Sequence, residues 1–412
     1  MQAYKFALDP SGPQLARLAS HCGASRRAFN WGLAWVKAIA DQRAAEVSYG
    51  LADNELTPNI SWSLPSLRKA WNQAKDSIAP WWAENSKEAY SAGLANLATA
   101  LGNFNASRKG DRAGPKMGFP RFKSKRRARM SCRFTTGVIR LEADRRHVTL
   151  PRLGAIRTHE STRKLTRRLE AGTARILSAT VNRDSRGRWH VSVQVEIARP
   201  ERRPACPDSV VAVDLGIKTL AVVAGSSGRS WQIPNPRHLT AALAGLRTAS
   251  RAVARKQGPD RRTGQVASGR WKKANTRRNK IHSRVSALRR DGLHKLTTRL
   301  ARTHGTVVVE DLNVAGMVRN RRLARHISDA GFGEFCRQIG YKTGWNGGRL
   351  IVADRWFPSS KTCSACQTVK AKLSLAERTY TCEHCGLVID RDVNAARNLL
   401  HHATNGGRWS VP

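Results

Sequence analysis

The stretch SVVAVDLGIKTLAVV, residues 209–223, decides the fold of the second half of this chain. Apolar residues lie on both sides of Asp214, and the polar step around Gly216 and Lys218 interrupts the run. Continuous apolar runs of this length are typical of strands that are buried on both faces. The stretch therefore predicts two buried strands joined by a tight turn, with a carboxylate in the first of them.

Two further acids stand in comparable settings. Residues 303–313 (THGTVVVEDLN) indicate another buried strand that ends in acids, and Asp392 stands in the segment DRDVNAARNL. A single buried acid is as often a loop cap as a ligand, but several convergent acids are usually compensated by a divalent cation. Asp214, Glu310 and Asp392 together therefore predict a Mg²⁺ or Mn²⁺ site. Two ions about 3.5–4 Å apart could hydrolyse a phosphodiester there.

Four of the eight cysteines form two close pairs with fifteen residues between them, namely Cys363, Cys366, Cys382 and Cys385. This spacing is typical of two thiolate knuckles that enclose one tetrahedral Zn²⁺, and four protein ligands make such a site structural. Four reduced cysteines without a metal would leave the paired spacing unexplained. Gly386 follows the second pair, where a left-handed turn is expected, whereas Gln367 takes the matching position after the first. The remaining cysteines are expected to be ordinary buried or free thiols: Cys22, Cys132, Cys206 and Cys336.

The charge of the chain points to a polyanionic partner. Its 412 residues carry 73 Lys and Arg against 29 Asp and Glu, a net charge of +44, while 40% apolar residues and twelve Trp indicate a folded chain. No stretch reaches about 18 consecutive apolar residues, so nucleic acid is favoured over a membrane. The first twenty residues lack the apolar core of a signal peptide, and the clustered cysteines fit a reducing compartment, so we expect a cytoplasmic, nucleoid-associated prokaryotic protein. The absence of a Gly-rich phosphate loop indicates no use of ATP.

The N-terminal half divides by its periodicity into helical and extended parts. Residues 4–8 predict a short edge strand, and residues 14–105 show helical spacing. Residues 138–200, with alternating segments such as RWHVSVQVEI, predict an all-β module. One helical face is predicted to carry Tyr90, Leu94, Leu97, Leu101 and Phe104. Six Trp lie in the helical part, where core packing is favoured over stacking on bases.

Two basic segments are candidates for contact with phosphates. RFKSKRRARMSCR, residues 121–133, packs seven basic residues into thirteen, and Phe119, Phe122 and Phe134 are expected to anchor it; a solvated loop is the alternative. Residues 247–302 hold eighteen basic residues against two acids and predict an inserted helical hairpin with a break near 258–269. The candidate contacts are Arg121, Lys123, Lys125, Arg126, Arg127, Arg129, Lys272, Lys273, Arg277 and Arg278.

The order of these motifs carries a family resemblance. DLGIKTLAVV, VVVEDLN, SSKTCSAC with CEHCG, and DRDVNAARNL resemble the RuvC-type, RNase H-like nuclease with embedded zinc ribbon of transposon-encoded TnpB proteins and of their relatives, the miniature type V CRISPR effectors. The match covers roughly residues 206–400. The N-terminal half is similar more loosely, through its opening strand, the helix ANLATALGNF and the segment GFPRFKSK.

The resemblance implies an α/β RuvC-like core with an inserted zinc ribbon, an N-terminal α-helical recognition region and an all-β wedge barrel. The implied boundaries are 1–9 and 115–200 for the wedge, 10–114 for the recognition region, 206–355 and 388–400 for the nuclease domain with a basic helical insertion at about 238–300, 356–387 for the ribbon and 401–412 for an unstructured tail.

The function implied by the resemblance is RNA-guided cleavage of DNA. A guide RNA would pair with target DNA, double-stranded and single-stranded, next to a short flanking motif. The implied metal-binding triad is Asp214, Glu310 and Asp392. Two neighbouring acids are not assigned to the triad: Asp390 precedes the position that matches the family motif, and Asp311 would point to the opposite face of its strand. Arg391 either lies near the scissile phosphate or is a surface residue.

Three other functions share parts of this pattern. A guided DNA-binding repressor would have lost acids that are all present here. A transposase that joins strands would need a Tyr motif or a second catalytic domain, and neither is found. A junction resolvase would not need a basic N-terminal half of 200 residues. Both a transposon setting and a CRISPR setting are compatible with the sequence.

Overall fold

The computed structural model describes residues 1–135, 137–260, 262–374 and 377–405 together with the backbone of 409–410. The chain divides into two compact units, Met1–Ala198 and Arg199–Pro412. Among the helices in these ranges, none combines the length and the apolar character needed to cross a bilayer.

The first unit opens with a strand and three helices: β1 (Gln2–Asp9), α1 (Gly12–Ser48), α2 (Leu64–Ile78) and α3 (Lys87–Lys109). Ser63 and Ser86 cap α2 and α3, since each side chain accepts a hydrogen bond from a backbone N–H of the first turn. Helices α1 and α3 approach closely at Gly93, where a Cβ would lie 2.1 Å from the Ser25 carbonyl oxygen. The predicted face of α3 is confirmed, with four of its five residues buried and Phe104 partly buried.

The remaining elements of the first unit are β2 (Ser131–Phe134), β3 (Arg140–Leu141), β4 (His147–Leu150), β5 (Gly154–Thr158), α4 (Arg163–Glu170), β6 (Ala174–Arg183) and β7 (Trp189–Ile197). The strands form one antiparallel sheet in the order β2-β6-β7-β1-β5-β4-β3. The helices and the sheet share one apolar core.

Two predictions for this unit are wrong. Strand β1 is central and not an edge strand, because β7 pairs along most of its length and β5 pairs at its end. The module is not purely β, because α4 interrupts the strands and buries Leu165. Its segment RKLTRRLE consists mostly of good helix formers, with leucines four residues apart.

The second unit contains β8 (Cys206–Leu215), β9 (Thr219–Gly225), β10 (Ser230–Pro234), α5 (His238–Ala254), α6 (Gly269–Thr303), β11 (His304–Glu310), α7 (Val314–Met317), α8 (Ala324–Ala330), α9 (Phe332–Trp345), β12 (Arg349–Ala353), β13 (Thr379–Thr381), β14 (Val388–Asp390), α10 (Arg391–Thr404) and β15 (Trp409–Ser410). A mixed sheet has the order β10-β9-β8-β11-β12-β15, in which β8, β11 and β12 are parallel. The two strands predicted from residues 209–223 and the helical hairpin α5–α6 are confirmed.

Helices cover both faces of this sheet. Val211, Val213, Val307 and Val309 face the core made with α6 and α9, where Leu300 and Phe335 are buried. The alternate residues of the same strands, such as Ala212 and Val308, face Leu399 of α10. The three-layer arrangement explains why these strands are apolar on both faces.

The C-terminal segment differs from the predicted unstructured tail. Helix α10 continues to Thr404, and β15 pairs antiparallel with β12. Residues 406–408 and 411–412 of the predicted tail lie outside the described residues.

Candidate active site and zinc ribbon

Asp214 and Glu310 lie side by side at the carboxyl ends of two parallel strands. Strands β8 and β11 pair with Val213 beside Val309, so the next residue on each strand is one of the two acids. Because side chains alternate along a strand, both acids lie on the face that packs against α10.

Helix α10 brings the third acid to the same face. Asp390 caps this helix, since its Oδ1 accepts hydrogen bonds from the backbone N–H of Asp392 at 3.0 Å and of Val393 at 3.1 Å. Asp392 is the second residue of the helix, and its Oδ2 lies 3.8 Å from the point where a Cβ on Gly216 would stand. The Asp392 carboxylate therefore faces the turn that follows Asp214.

Burial disfavours ionisation of Asp214 and Glu310, and neighbouring carboxylates add to the effect at Asp214. Burial raises the pKa of Asp214 well above its usual range, and the charges of Glu310 and Asp392 raise it further, while Arg391 opposes the shift. Burial also raises the pKa of Glu310, and a hydrogen bond from Ser359 offsets part of this increase. Arg391 lies with Nε 3.4 Å from Oδ1 of Asp392. Such a concentration of carboxylates is stabilised by cations.

The donor set fits Mg²⁺, which prefers carboxylate oxygens. In the described part of the chain, the four ribbon cysteines are the one group of three or more His, Cys, Asp or Glu whose ligand atoms lie within 4.8 Å of one another. The three carboxylates are thus more widely spread.

Three residues that join β11 and α10 to the segment 359–364 were not singled out by sequence reasoning. Ser359 donates a hydrogen bond from Oγ to Oε1 of Glu310. Asn398 donates from Nδ2 to the Ser359 carbonyl at 2.8 Å, and Asn394 Oδ1 accepts from the Ser364 N–H at 2.9 Å. Both asparagines are fully buried in α10. Two Asn four residues apart in one helix, where Asn is a poor helix former, were the available signal.

The four predicted cysteines converge as the spacing requires. The Sγ atoms of Cys363 and Cys385 lie 3.6 Å apart, as do those of Cys366 and Cys382. Tetrahedral Zn²⁺ with Zn–S bonds of about 2.3 Å places sulfurs at about 3.8 Å, so the cluster fits zinc.

The two knuckles share one backbone geometry. The N–H of Gln367 donates to the Cys363 carbonyl at 2.9 Å, and the N–H of Gly386 donates to the Cys382 carbonyl at 3.0 Å. Gln367 and Gly386 have φ of 63° and 73°, so both adopt the left-handed conformation. Gln367 therefore forms the same turn as Gly386, although it is not a glycine.

The other cysteines lie outside this cluster. Cys22 and Cys132 are buried, Cys206 is exposed and Cys336 is partly buried. Burial raises the pKa of Cys22 to about 12, so its thiol is unreactive at neutral pH.

The side chains that anchor the basic segment 121–133 differ in part from those predicted. Phe134 is buried and Phe119 packs edge-on against Phe104, but Phe122 is 57% exposed, so its predicted anchoring role is wrong. Lys123 serves as an anchor instead, with Nζ 3.5 Å from the centroid of the Phe29 ring. Burial lowers the pKa of Lys123. The exposed cations of the segment are Arg121, Lys125, Arg126, Arg127 and Arg129.

The candidate cations of α6 are mostly directed to solvent. Lys272, Lys273 and Arg277 are exposed. Arg278 is partly buried and donates from Nη2 to Oδ1 of Asn275 at 2.7 Å.

Asp311 takes a different environment from its neighbour Glu310. Its carboxylate is about half exposed and pairs with Arg355, Nη2 to Oδ2, at 2.6 Å. A cavity of about 510 Å³ lies beside these two acids, with Cys336, Arg337 and Tyr341 in its lining. Asp311 therefore does not belong to the carboxylate cluster.

Two models of known protein families match this chain, and together they cover the three acids and the four clustered cysteines. A family model described as "Probable transposase", OrfB_IS605, matches residues 190–321, which contain Asp214 and Glu310. A second, described as a Cas12f1-like TNB domain, matches residues 332–399, which contain the ribbon and Asp392.

A protein of Mycobacterium tuberculosis strain H37Rv, provisionally named an RNA-guided DNA endonuclease, is 44% identical over 98% of this chain and 86% of its own length. The chain belongs to the TnpB family. A further relative with the same provisional name, from Streptomyces pristinaespiralis, is 35% identical over 97% of this chain and 88% of its own. The family predicted from the order of the acid and cysteine motifs is thus confirmed.

A solved structure supports the fold of this TnpB-family chain. The Cas12f1 protein in a complex with sgRNA and target DNA superposes with a TM-score of 0.53 at 14% identity, covering 94% of this chain and 82% of the other. At that identity, the likeness concerns the fold alone.

Proposed function

We propose that this TnpB-family protein is an RNA-guided DNA endonuclease whose catalytic residues are Asp214, Glu310 and Asp392. The observation that carries the proposal is the convergence of three carboxylates at the ends of β8 and β11 and the start of α10. The provisional names of the relatives support the same activity. In this proposal the second unit is a RuvC-like nuclease with an inserted zinc ribbon, and the first unit comprises a recognition region and a wedge.

The three carboxylates would hold Mg²⁺ or Mn²⁺. When bound, such ions activate water as a nucleophile and stabilise the leaving oxygen of a phosphodiester. Ser359 fixes one oxygen of Glu310 through its hydroxyl, so the carboxylate is oriented by the protein itself. Arg391, beside Asp392, offsets part of the negative charge and is proposed to contact the scissile phosphate.

The guide RNA and the target DNA are proposed to account for the charge of +44. When base pairing reads the sequence, the protein needs contacts to the backbone far more than contacts to base edges. The proposed contacts are the exposed cations of residues 121–129 and of α6. A protein held by these partners would lie at the nucleoid.

Cleavage of guided DNA by matched variants tests the proposal. The protein is expressed with the DNA that flanks its gene, the RNA that copurifies is sequenced, and a target complementary to that RNA is supplied with Mg²⁺. Asp214→Ala should lose at least about 100-fold in cleavage rate, because it removes a proposed ligand of the ions that stabilise the transition-state charge, and should keep its affinity for guide RNA. Asp208→Ala is the control, because Asp208 lies exposed at the other end of the same strand.

Cleavage by Asp214→Ala at the rate of the unmodified protein would contradict the assignment of the site. An unmodified protein that binds the guided target but leaves it intact in Mg²⁺ and in Mn²⁺ would instead be a guided binding protein.

A further inference from the structure

The indole of Trp356 is unusually exposed. It is 85% exposed, the highest value among the large apolar side chains of the described residues. Single exposed apolar residues are ordinary on protein surfaces, so exposure alone carries no argument. The way in which its backbone is held supplies a second observation.

The turn around Trp356 is fixed on both sides. Asp354 accepts hydrogen bonds from the N–H of Trp356 at its Oδ1, 2.8 Å away, and from the N–H of Phe357 at its carbonyl, 3.1 Å away. The Phe357 ring stacks on His402 of α10, with 4.1 Å between ring centroids. The indole therefore projects from a rigid backbone, which lowers the entropy lost when it binds.

The same turn is attached to the strand end that carries the acids. Before Trp356, the Arg355 guanidinium donates to the Asp311 carbonyl at 3.3 Å and to its Oδ2 at 2.6 Å. After it, Ser359 donates to Glu310. Trp356 thus lies in the chain between two residues whose side chains are hydrogen-bonded to the consecutive acids Asp311 and Glu310, one of which belongs to the carboxylate site.

From this geometry we infer that Trp356 stacks on a base of the single-stranded DNA held for cleavage, as a positioning residue. The inference rests on the proposed endonuclease function. Every base has a π-face, so stacking on an indole tolerates any sequence, as a guided enzyme requires. A protein partner is less favoured, because the two residues directly before Trp356 in the chain, Asp354 and Arg355, are charged and exposed.

Fluorescence of a base analogue tests the stacking without cleavage. In the Asp214→Ala background, complexes are assembled on targets that carry one 2-aminopurine at successive positions around the cleavage point. One position should be quenched, Trp356→Ala should restore its fluorescence, and Trp356→Phe should keep part of the quenching. Val388→Ala, which removes another exposed apolar side chain of the ribbon region, is the control and should leave the signal unchanged.

Cleavage of substrates with one abasic position tests the consequence. Loss of one stacked base should slow cleavage by the unmodified protein roughly 5- to 150-fold, and Trp356→Ala should slow cleavage of the intact strand by a similar factor. The two changes together should cost no more than either one, since they remove the same contact. Zinc content and the midpoint of thermal unfolding should be unchanged in Trp356→Ala, because the indole is exposed.

The inference would be overturned if the abasic position and Trp356→Ala slowed cleavage independently, so that their factors multiplied. It would also be overturned if Trp356→Ala cleaved the intact strand at the rate of the unmodified protein. A change in the sedimentation of Trp356→Ala with no change in the 2-aminopurine signal would overturn it too, and would indicate a protein-docking role. If Asp214→Ala has lost cleavage in the same experiment, any of these outcomes rejects the role of Trp356 and leaves the endonuclease function standing.

Discussion

The hydroxyl of Ser359 donates a hydrogen bond to Oε1 of Glu310, and so joins the entry of the zinc ribbon to the acid at the end of β11. The Ser359 carbonyl in turn accepts a hydrogen bond from Nδ2 of Asn398 in α10. Strand, ribbon entry and helix are therefore one hydrogen-bonded assembly.

Removal of this hydroxyl should weaken the site without unfolding the protein. Ser359→Ala should slow cleavage roughly 10- to 150-fold and raise the Mg²⁺ concentration for half-maximal rate, because a hydrogen bond to a charged group contributes about 1.5–3 kcal/mol. Ser359→Thr keeps the hydroxyl and should recover most of the rate. A Mg²⁺ titration of the cleavage rate measures both variants, and equal titrations for Ser359→Ala and the unmodified protein would contradict the role of this bond.

Loss of one ribbon cysteine should remove zinc, stability and activity together. Cys382→Ser leaves three thiolates, so the purified protein should contain well under the one equivalent of zinc expected for the unmodified protein. Its thermal unfolding midpoint and its cleavage rate should both fall. Cys336→Ser, outside the cluster, should keep the zinc. Full zinc content and activity in Cys382→Ser would exclude the structural metal site.

The sequence predicts the features of this protein whose signal is local. An apolar run around Asp214 indicates a strand buried on both faces, and two Cys-x-x-Cys pairs indicate their own ligand geometry. The central position of β1 depends on pairing with β7, about 190 residues away, and nothing in residues 4–8 marks that partner. Ser359 likewise carries no local signal, because its role is created by the approach of β11.

The turn after Asp214 should accept only glycine at position 216, because it has no room for a side chain there. An added Cβ would lie 2.8 Å from the Thr219 carbonyl oxygen, in a turn that also faces Asp392. Gly216→Ala should shift this turn and slow cleavage by roughly 100-fold, since displacements of about 1 Å in a catalytic site have effects of that size. The zinc content should not change. Gly245→Ala is the matched control, because its Cβ would meet only Ile281, at 3.9 Å.

Lys342 should make the stability of the protein depend on pH. This buried lysine joins α9 to α6, and its ammonium, which has three N–H donors, lies within hydrogen-bond distance of four neutral oxygens, on His294, Thr297, Thr298 and Gln338. Burial lowers its pKa to about 8, with Glu334 opposing the shift and Arg302 and Arg337 adding to it.

The sign of the effect follows from the lowered pKa of Lys342. Between pH 8 and 10.5 the unfolded chain binds more protons than the folded one, so the unfolding free energy rises with pH in this window. Burial of the charged ammonium thus lowers the unfolding free energy by at most about 3 kcal/mol, and this loss is fully present below pH 8. Denaturant unfolding should therefore show the unmodified protein gaining stability relative to Lys342→Met as pH rises from 7 to 10. Parallel pH profiles of the two proteins would contradict the lowered pKa.

The exposed cations of residues 125–129 should contribute to guide-RNA binding through phosphates. Changing Lys125, Arg126, Arg127 and Arg129 to Gln should weaken binding of the copurifying guide RNA and reduce the slope of log K against log salt by about 0.7 for each lost contact. Lys123→Gln is the contrasting variant, since Lys123 lies over the Phe29 ring and anchors the segment. It should lower the unfolding midpoint of the first unit and change the salt slope less. Guide-RNA binding by the fourfold variant that equals the unmodified protein at every salt concentration would show that this segment is a solvated loop.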